Sequence, residues 1–283
     1  MPEDKMQLQR WELKYVIPEE TALLVREFVR CYLEIDAYGA AQPNLSYAVH
    51  NLYLDSDDLK IYWGTINGDK NRYKLRLRFY GDNPNAPIFF EIKRRMNDSI
   101  LKQRGGVKRF AVESVLRGHH PSPGELVSGD PRQLIAIQQF VQLMIADRAT
   151  PRAHVSYLRE AWISSRDNSV RVTLDRQVDI EPDFTTRFRA AFNIPTRVYG
   201  DLTILELKFS GRFPGWFSEM VRALGLRQGS ASKYADGVAN RGEAEFYTVG
   251  SRPPEPLSSP AASERKRERI DRIQNIIHRS VPV

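Results

Sequence analysis

Apolar and cationic residues alternate with period two through Tyr73, Lys74, Leu75, Arg76, Leu77, Arg78 and Phe79. That is the pattern of an extended strand with one apolar face and one charged face. The same alternation recurs three times, setting Glu12 with Lys14, Glu91 with Lys93 and Glu206 with Lys208 on polar strand faces. In residues 153–164 it puts Tyr157 and Arg159 together, and in 169–180 it puts Arg171, Thr173 and Asp175 together. Strands are therefore predicted over 10–17, 49–54, 72–80, 87–94, 153–164, 169–180 and 202–209. Residues 81–85, Gly-Asp-Asn-Pro-Asn, suit the turn of a hairpin between the third and fourth.

Helical spacing accounts for much of the rest. Pro18 followed by Glu19 and Glu20 marks a helix start, and Leu24, Val25, Phe28, Val29 and Tyr32 supply its apolar stripe to about Leu33. A short helix is expected at 59–63, a longer one at 131–147 capped by Asp130, and one from Pro214 to about Leu224 stopped by Gly225. Ser232-Lys233-Tyr234 opens a last short helix. Residues 36–46 and 181–200 read as connections, and 102–109 as a mobile basic loop or strand edge. Asp55, Asp57 and Asp58 lack the glycine and distal glutamate of a calcium loop, so they are expected to form a turn and helix cap. After residue 250 a Pro- and Ser-rich linker (251–263) precedes a charged tail (264–283) with Ile270, Ile273 and Ile277 at helical spacing. The tail reads as an amphipathic or disordered arm, solvated or touching a protein or membrane surface.

Composition sharpens the picture in two ways. In 283 residues, Lys and Arg number 42 against 35 Asp and Glu, a net charge of +7 that points to polyanionic ligands. The single cysteine, Cys31, excludes an intramolecular disulfide and a cysteine-based metal cluster, and its apolar helical setting suggests a buried inert thiol. The sequence has no apolar run suited to a leader or a membrane span, so the cytoplasm is the expected location. His119 and His120 lack metal-ligand spacing, and no helix-turn-helix, zinc finger or RNA-recognition motif supports sequence-specific nucleic acid binding.

Seven short motifs in order carry a family resemblance over roughly residues 8–240: Glu-Leu-Lys-Tyr at 12–15, Arg-Leu-Arg at 76–78, Phe-Glu-Ile-Lys at 90–93, Tyr-Leu-Arg at 157–159, Val-Arg-Val-Thr-Leu-Asp at 170–175, Leu-Glu-Leu-Lys at 205–208 and Ser-Lys-Tyr at 232–234. The chain resembles the VTC domain, the polyphosphate polymerase branch of the CYTH/triphosphate tunnel metalloenzyme superfamily. The resemblance implies an α+β fold in which mostly antiparallel strands close into a tunnel, with helices packed outside, over residues 1–250. It implies that Lys14, Arg76, Arg78, Lys93, Arg159, Arg171 and Lys233 line the tunnel and hold phosphates, and that Tyr157 hydrogen-bonds phosphate. It also makes Glu206 the carboxylate for Mn²⁺ or Mg²⁺, with Lys74, Lys208 and Ser232 as further substrate contacts. The implied activity is metal-dependent transfer of the terminal phosphoryl group of a nucleoside triphosphate to polyphosphate. A tunnel triphosphatase or polyphosphatase, and a non-catalytic polyphosphate-binding module, stay open as alternatives, because a tunnel alone does not choose among them. The sensing domain and membrane anchor of the fungal polymerases are not seen in the sequence.

Overall fold

Among the described residues, ten strands form one sheet in the computed structural model, which describes residues 11–97, 99–165, 169–248 and 260–279. In chain order the principal elements are β1 (Trp11–Ile17), α1 (Glu19–Val29), β2 (Glu34–Ile35), α2 (Ala37–Ala40), β3 (Tyr47–Asp55), α3 (Lys60–Ile66), β4 (Asn71–Phe79), β5 (Ile88–Met96), β6 (Ser99–Val107), α4 (Val112–Leu116), α5 (Pro131–Ala146), β7 (Thr150–Ile163), β8 (Val170–Pro182), β9 (Thr196–Arg197), β10 (Thr203–Phe209), α6 (Gly215–Ala223), α7 (Lys233–Arg241) and α8 (Pro260–Arg279). The sheet order is β1-β10-β8-β7-β3-β4-β5-β6, every pairing among the described strands is antiparallel, and β2 and β9 attach to β7 and β8.

The alternation seen in the sequence decides which face goes inward. Leu75, Leu77, Phe79, Phe90 and Ile92 are buried with Ile137 and Phe140 of α5, while Tyr15, Leu205, Leu207, Val172 and Leu174 are buried with α1 and α6 residues. Each such side chain contributes about 1.5–3 kcal/mol when fully removed from water. A third core joins α3, α7 and α8 to Tyr53, Val155, Val178 and Ile204. The first two cores leave the opposite, charged strand faces to look towards one another, and the third packs beside the charges on those same faces, Tyr53 being the register partner of Arg76 and Ile204 that of Asp175.

The sheet is not the expected closed barrel: among the described residues it curls but does not close, leaving β1 and β6 at its two ends. The outer edge of β6 is already occupied. Val107 bridges Leu126, Val127 N–H donates to Gly106 O at 3.0 Å, and Lys108 N–H donates to Glu125 O at 2.8 Å. This cover lies on the C-terminal end of the β6 edge, residues 106–108. Side chains cross the seam, with Lys93 Nζ of β5 2.6 Å from Glu12 Oε2 of β1.

Other expectations need adjusting. Of the two readings of residues 102–109, the strand edge holds for 102–107, which belong to edge strand β6. Connection 36–46 contains α2, capped by buried Asp36. Cys31 is exposed, not buried, because it lies just past α1 where the chain turns away from the core. Asp55 does cap α3, accepting from Ile61 N–H at 2.8 Å and Tyr62 N–H at 2.9 Å. The tail is helical from Pro260 and docks: Ile273 is buried, Ile270, Ile276 and Ile277 pack beside it, and Arg269 pairs with Asp236 of α7. Most of the 251–263 linker and residues 280–283 lie outside the described residues. No helix among the described residues is long and apolar enough to cross a membrane.

Candidate phosphate site

The charged strand faces meet in a concave surface, and contacts between strands that are not neighbours define it. Arg78 of β4 reaches over β3 to Tyr157 of β7, its Nη2 donating to the tyrosine hydroxyl at 3.2 Å. Arg159 of β7 reaches over β8 to Glu206 of β10 at 3.6 Å. One wall is centred on Glu91, which is fully buried. Register places Arg76 opposite Glu91, with Arg76 Nη2 2.7 Å from Glu91 Oε2 and Nη1 donating to Tyr53 Oη at 3.2 Å. Lys102 and Arg104 approach the other carboxylate oxygen at 3.0 and 3.6 Å. Arg78 Nε donates to Asn51 Oδ1 at 3.0 Å, which fixes its guanidinium plane.

The second wall is centred on Glu206 and Asp175. Arg159 grips Asp175 through two parallel hydrogen bonds of 2.7 Å, the fork geometry arginine is built for. Lys233, the first residue of α7, lies 2.7 Å from Asp175 and 3.2 Å from Glu206. Lys14 lies 3.3 Å from Glu206, and Lys208 also pairs with it. Tyr157 sits under Arg159 and Lys233, whose cationic groups are 5.0 and 4.7 Å from its ring centroid.

Charge crowding shows in the proton affinities. Burial alone would raise the Glu91 carboxyl, yet Arg78, Lys102 and Arg76 hold it well below the usual carboxylate range. Glu206 is held well below by Lys208, Lys233 and Lys14 against the same burial effect. Burial would likewise raise the Tyr157 hydroxyl, but Arg159 and Arg78 bring it below its ordinary value. Burial pulls Lys208 down to about 8, despite Glu206 and Glu12. It pulls Lys74 well below its ordinary value, with Lys14, Arg269 and Lys93 adding repulsion.

The structure thus brings Lys14, Arg76, Arg78, Lys93, Tyr157, Arg159, Lys208, Lys233 and Glu206 to one surface. Lys74 reaches the start of α7, where its ammonium donates to the Ser232 hydroxyl, and Lys14 Nζ donates to Ala231 O at 2.8 Å. Arg171, the register partner of Lys208, pairs instead with Asp36 at 3.4 Å. Asn51, Tyr53, Lys102 and Arg104 were not singled out from sequence. Lys102 and Arg104 do carry the period-two signal, and so do Asn51 and Tyr53, but within a strand whose apolar residues dominate.

Among the described residues no three His, Cys, Asp or Glu side chains gather as a self-sufficient metal site. A hard divalent ion needs oxygen donors, and it commonly keeps waters and takes phosphate oxygens. Glu206 offers such a donor, and the Oε1 atom of nearby Glu12 is buried without a hydrogen-bond partner. The donor set fits an ion that arrives with its substrate, not one caged by protein alone.

The family model described as the VTC domain matches residues 9–241. Vacuolar transporter chaperone complex subunit 4 of Schizosaccharomyces pombe is 27% identical over 147 residues, which is 47% of this chain and 20% of that protein. The match thus spans about a fifth of that relative's length. Among solved structures, a putative adenylate cyclase of Bacillus halodurans aligns with a TM-score of 0.46 at 14% identity, covering 80% of this chain and 95% of its own. Another, of Vibrio parahaemolyticus, aligns with a TM-score of 0.39 at 11% identity, covering 81% and 98%.

Proposed function

The chain belongs to the VTC domain family, and from that premise we propose that it is a metal-dependent phosphotransferase moving the terminal phosphoryl group of a nucleoside triphosphate onto a polyphosphate chain. The observation that carries this reading is the convergence of Arg76, Arg78, Arg159, Lys14 and Lys233 from separate elements onto one concave face. A phosphate chain presents a row of anionic oxygens. Guanidinium forks bind them in pairs, and ammonium groups bind them as point charges. Phosphoryl transfer asks for alignment and for stabilisation of charge on the moving group, more than for covalent chemistry by the protein.

In the free protein Glu91, Asp175 and Glu206 hold these cations in place, so little reorganisation is needed when phosphate oxygens arrive. Arg78 and Arg159, fixed by Asn51 and Asp175, orient the chain, and Tyr157 donates its hydroxyl proton towards a phosphate oxygen. Mn²⁺ or Mg²⁺, held by Glu206 together with waters and phosphate oxygens, would supply neutralisation of the transferring phosphates.

The carboxylates of the site offer a water nucleophile little help, while Lys208, drawn down to about 8 by burial, is the group that could serve it, so the products decide between the two acceptors. A water nucleophile profits from a general base whose pKa lies near the working pH. Glu91 and Glu206 are held well below their ordinary range, and Asp175 is lowered, which makes all three weak bases. The terminal oxygen of a polyphosphate is already ionised and needs no base. The test is to incubate the whole chain with adenosine triphosphate and Mn²⁺ or Mg²⁺ and resolve the products. Lengthening polyphosphate with matching release of adenosine diphosphate supports the proposal, and release of orthophosphate alone overturns it.

A further inference from the structure

One group of side chains beside the cationic face has no part in the reading above. Tyr38, on α2, is 71% exposed, and Tyr80, just past β4, is 37% exposed. Their rings are parallel to within 2°, with centroids 6.3 Å apart. Tyr47 stands 5.6 Å from Tyr38 and 6.4 Å from Tyr80, and Phe89 meets Tyr80 edge-on at 6.2 Å.

These rings border the phosphate candidates. Tyr80 follows Arg78 by two positions, an advance of about 7 Å along an extended chain. Phe89 is the register partner of Arg78, and Tyr47 is the register partner of Arg159. The aromatic group therefore adjoins two arginines that come from different walls of the site.

The support beneath Tyr38 is rigid. Buried Asp36 accepts from Gly39 N–H at 2.8 Å and from the Tyr47 hydroxyl at 2.9 Å, with Arg171 at 3.4 Å. Asp36 N–H donates to Ala161 O of β7 at 2.8 Å. Gly39 leaves no room for a side chain, since a Cβ there would stand 2.8 Å from Leu45 O. A short helix is thus anchored from both ends while presenting one large ring to solvent. A ring held in advance loses little freedom when a ligand stacks on it.

We propose that Tyr38, Tyr47 and Tyr80 form a stacking platform for the base of a nucleoside triphosphate whose phosphates lie on Arg78 and Arg159. The proposal rests on the phosphate-site reading above and adds a selectivity to it: the platform favours a nucleotide over an inorganic triphosphate. Every base has a π-face, so stacking serves this purpose without a hydrogen-bond code.

The test compares two ligands on the whole chain, adenosine triphosphate and inorganic tripolyphosphate, by calorimetric titration without divalent metal. Tyr38→Ala changes an exposed ring outside the phosphate cluster and is expected to weaken nucleotide binding about tenfold. Tripolyphosphate binding is expected to stay within about twofold, and Tyr38→Trp is expected to retain nucleotide affinity. If wild type binds both ligands and Tyr38→Ala loses neither, or loses both equally, the platform is overturned while the phosphate site stands. If wild type binds neither ligand, the phosphate-site reading fails and the platform with it.

Discussion

Lys93 Nζ lies 2.6 Å from Glu12 Oε2, joining β5 to β1 across a seam that no backbone ladder closes. Glu12 is 7% exposed and Lys93 33%. Solvent reaches the lysine, so a double-mutant cycle of Glu12→Gln and Lys93→Met is expected to give a coupling of only about 1 kcal/mol. Burial would raise the Glu12 carboxyl, but Lys93 and Lys14 bring it from 4.5 down to about 2. A depressed carboxyl contributes stability that is present above its unfolded value and lost as pH falls through its folded one. Denaturant melts between pH 5 and pH 2 should therefore lose stability more steeply in wild type than in Glu12→Gln. Parallel acid profiles would show that the seam pair carries no net stability.

Glu206 is 4% exposed, and Lys14, Lys208, Lys233 and Arg159 surround it. Glu206→Gln leaves those cations with less compensation and is expected to lower stability by roughly 3 kcal/mol, as happens when one member of a buried ion cluster is removed. The same vacated charge should strengthen metal-free tripolyphosphate binding while abolishing metal-dependent turnover. Thermal melts and titrations read the three effects separately. Retained turnover at limiting metal would sink the role of Glu206 as the ion's protein ligand.

The strands and their facing were legible because period-two alternation survives wherever one face meets a core and the other a charged cavity. Lys74, Arg76 and Arg78 declare their common face in the sequence alone. Closure was not legible, since it depends on how far the strands curl, which no period-two pattern records, and residues 125–127 likewise carry no pattern that announces a bridge to Gly106 and Val107. The ion partners were only half visible. Glu91 reads as a neighbour of Lys93, but its cluster with Lys102 and Arg104 needs the β5–β6 register. Asp36 gave no signal, because its partners Tyr47 and Arg171 are distant in sequence.

The α8 helix changes what truncation should do. Sequence composition suggests that a Pro- and Ser-rich linker leads to an arm the domain can lose. In the structure Ile273 is 6% exposed, Arg269 pairs with buried Asp236, and Lys266 Nζ lies 2.6 Å from Glu243. Ending the chain at residue 248 removes buried Ile273 and bares the apolar surface it covers, about 1.5–3 kcal/mol, and also strips the charge partner from Asp236. The expected result is a clearly lower melting temperature. An unchanged melting temperature would mean that the helix does not hold to the domain in solution.

Arg76 and Arg78 decide whether the concave face binds phosphate at all. From sequence, three like charges on one strand suggest mutual repulsion that an alanine would relieve. The structure reverses that expectation for Arg76, whose guanidinium is 2.7 Å from fully buried Glu91. Removing it leaves Arg78, Lys102 and Arg104 to compensate the carboxylate, so Arg76→Ala should cost about 1–3 kcal/mol of stability, the penalty of a weakened buried hydrogen bond to a charged group. Arg78→Ala leaves Asn51 and Tyr157 without their donor and should cost a similar amount. Ligand binding should suffer separately. Each guanidinium offers charge-assisted hydrogen bonds worth roughly 1.5–3 kcal/mol to a phosphate, about one to two orders of magnitude in affinity. Arg→Lys should recover only part of this, because an ammonium lacks the planar fork. Tripolyphosphate titrations run well below each variant's melting temperature keep the two effects apart. If both alanine variants stay folded and bind tripolyphosphate like wild type, these arginines serve only to balance Glu91 and hold Asn51, and the phosphate site must be sought elsewhere.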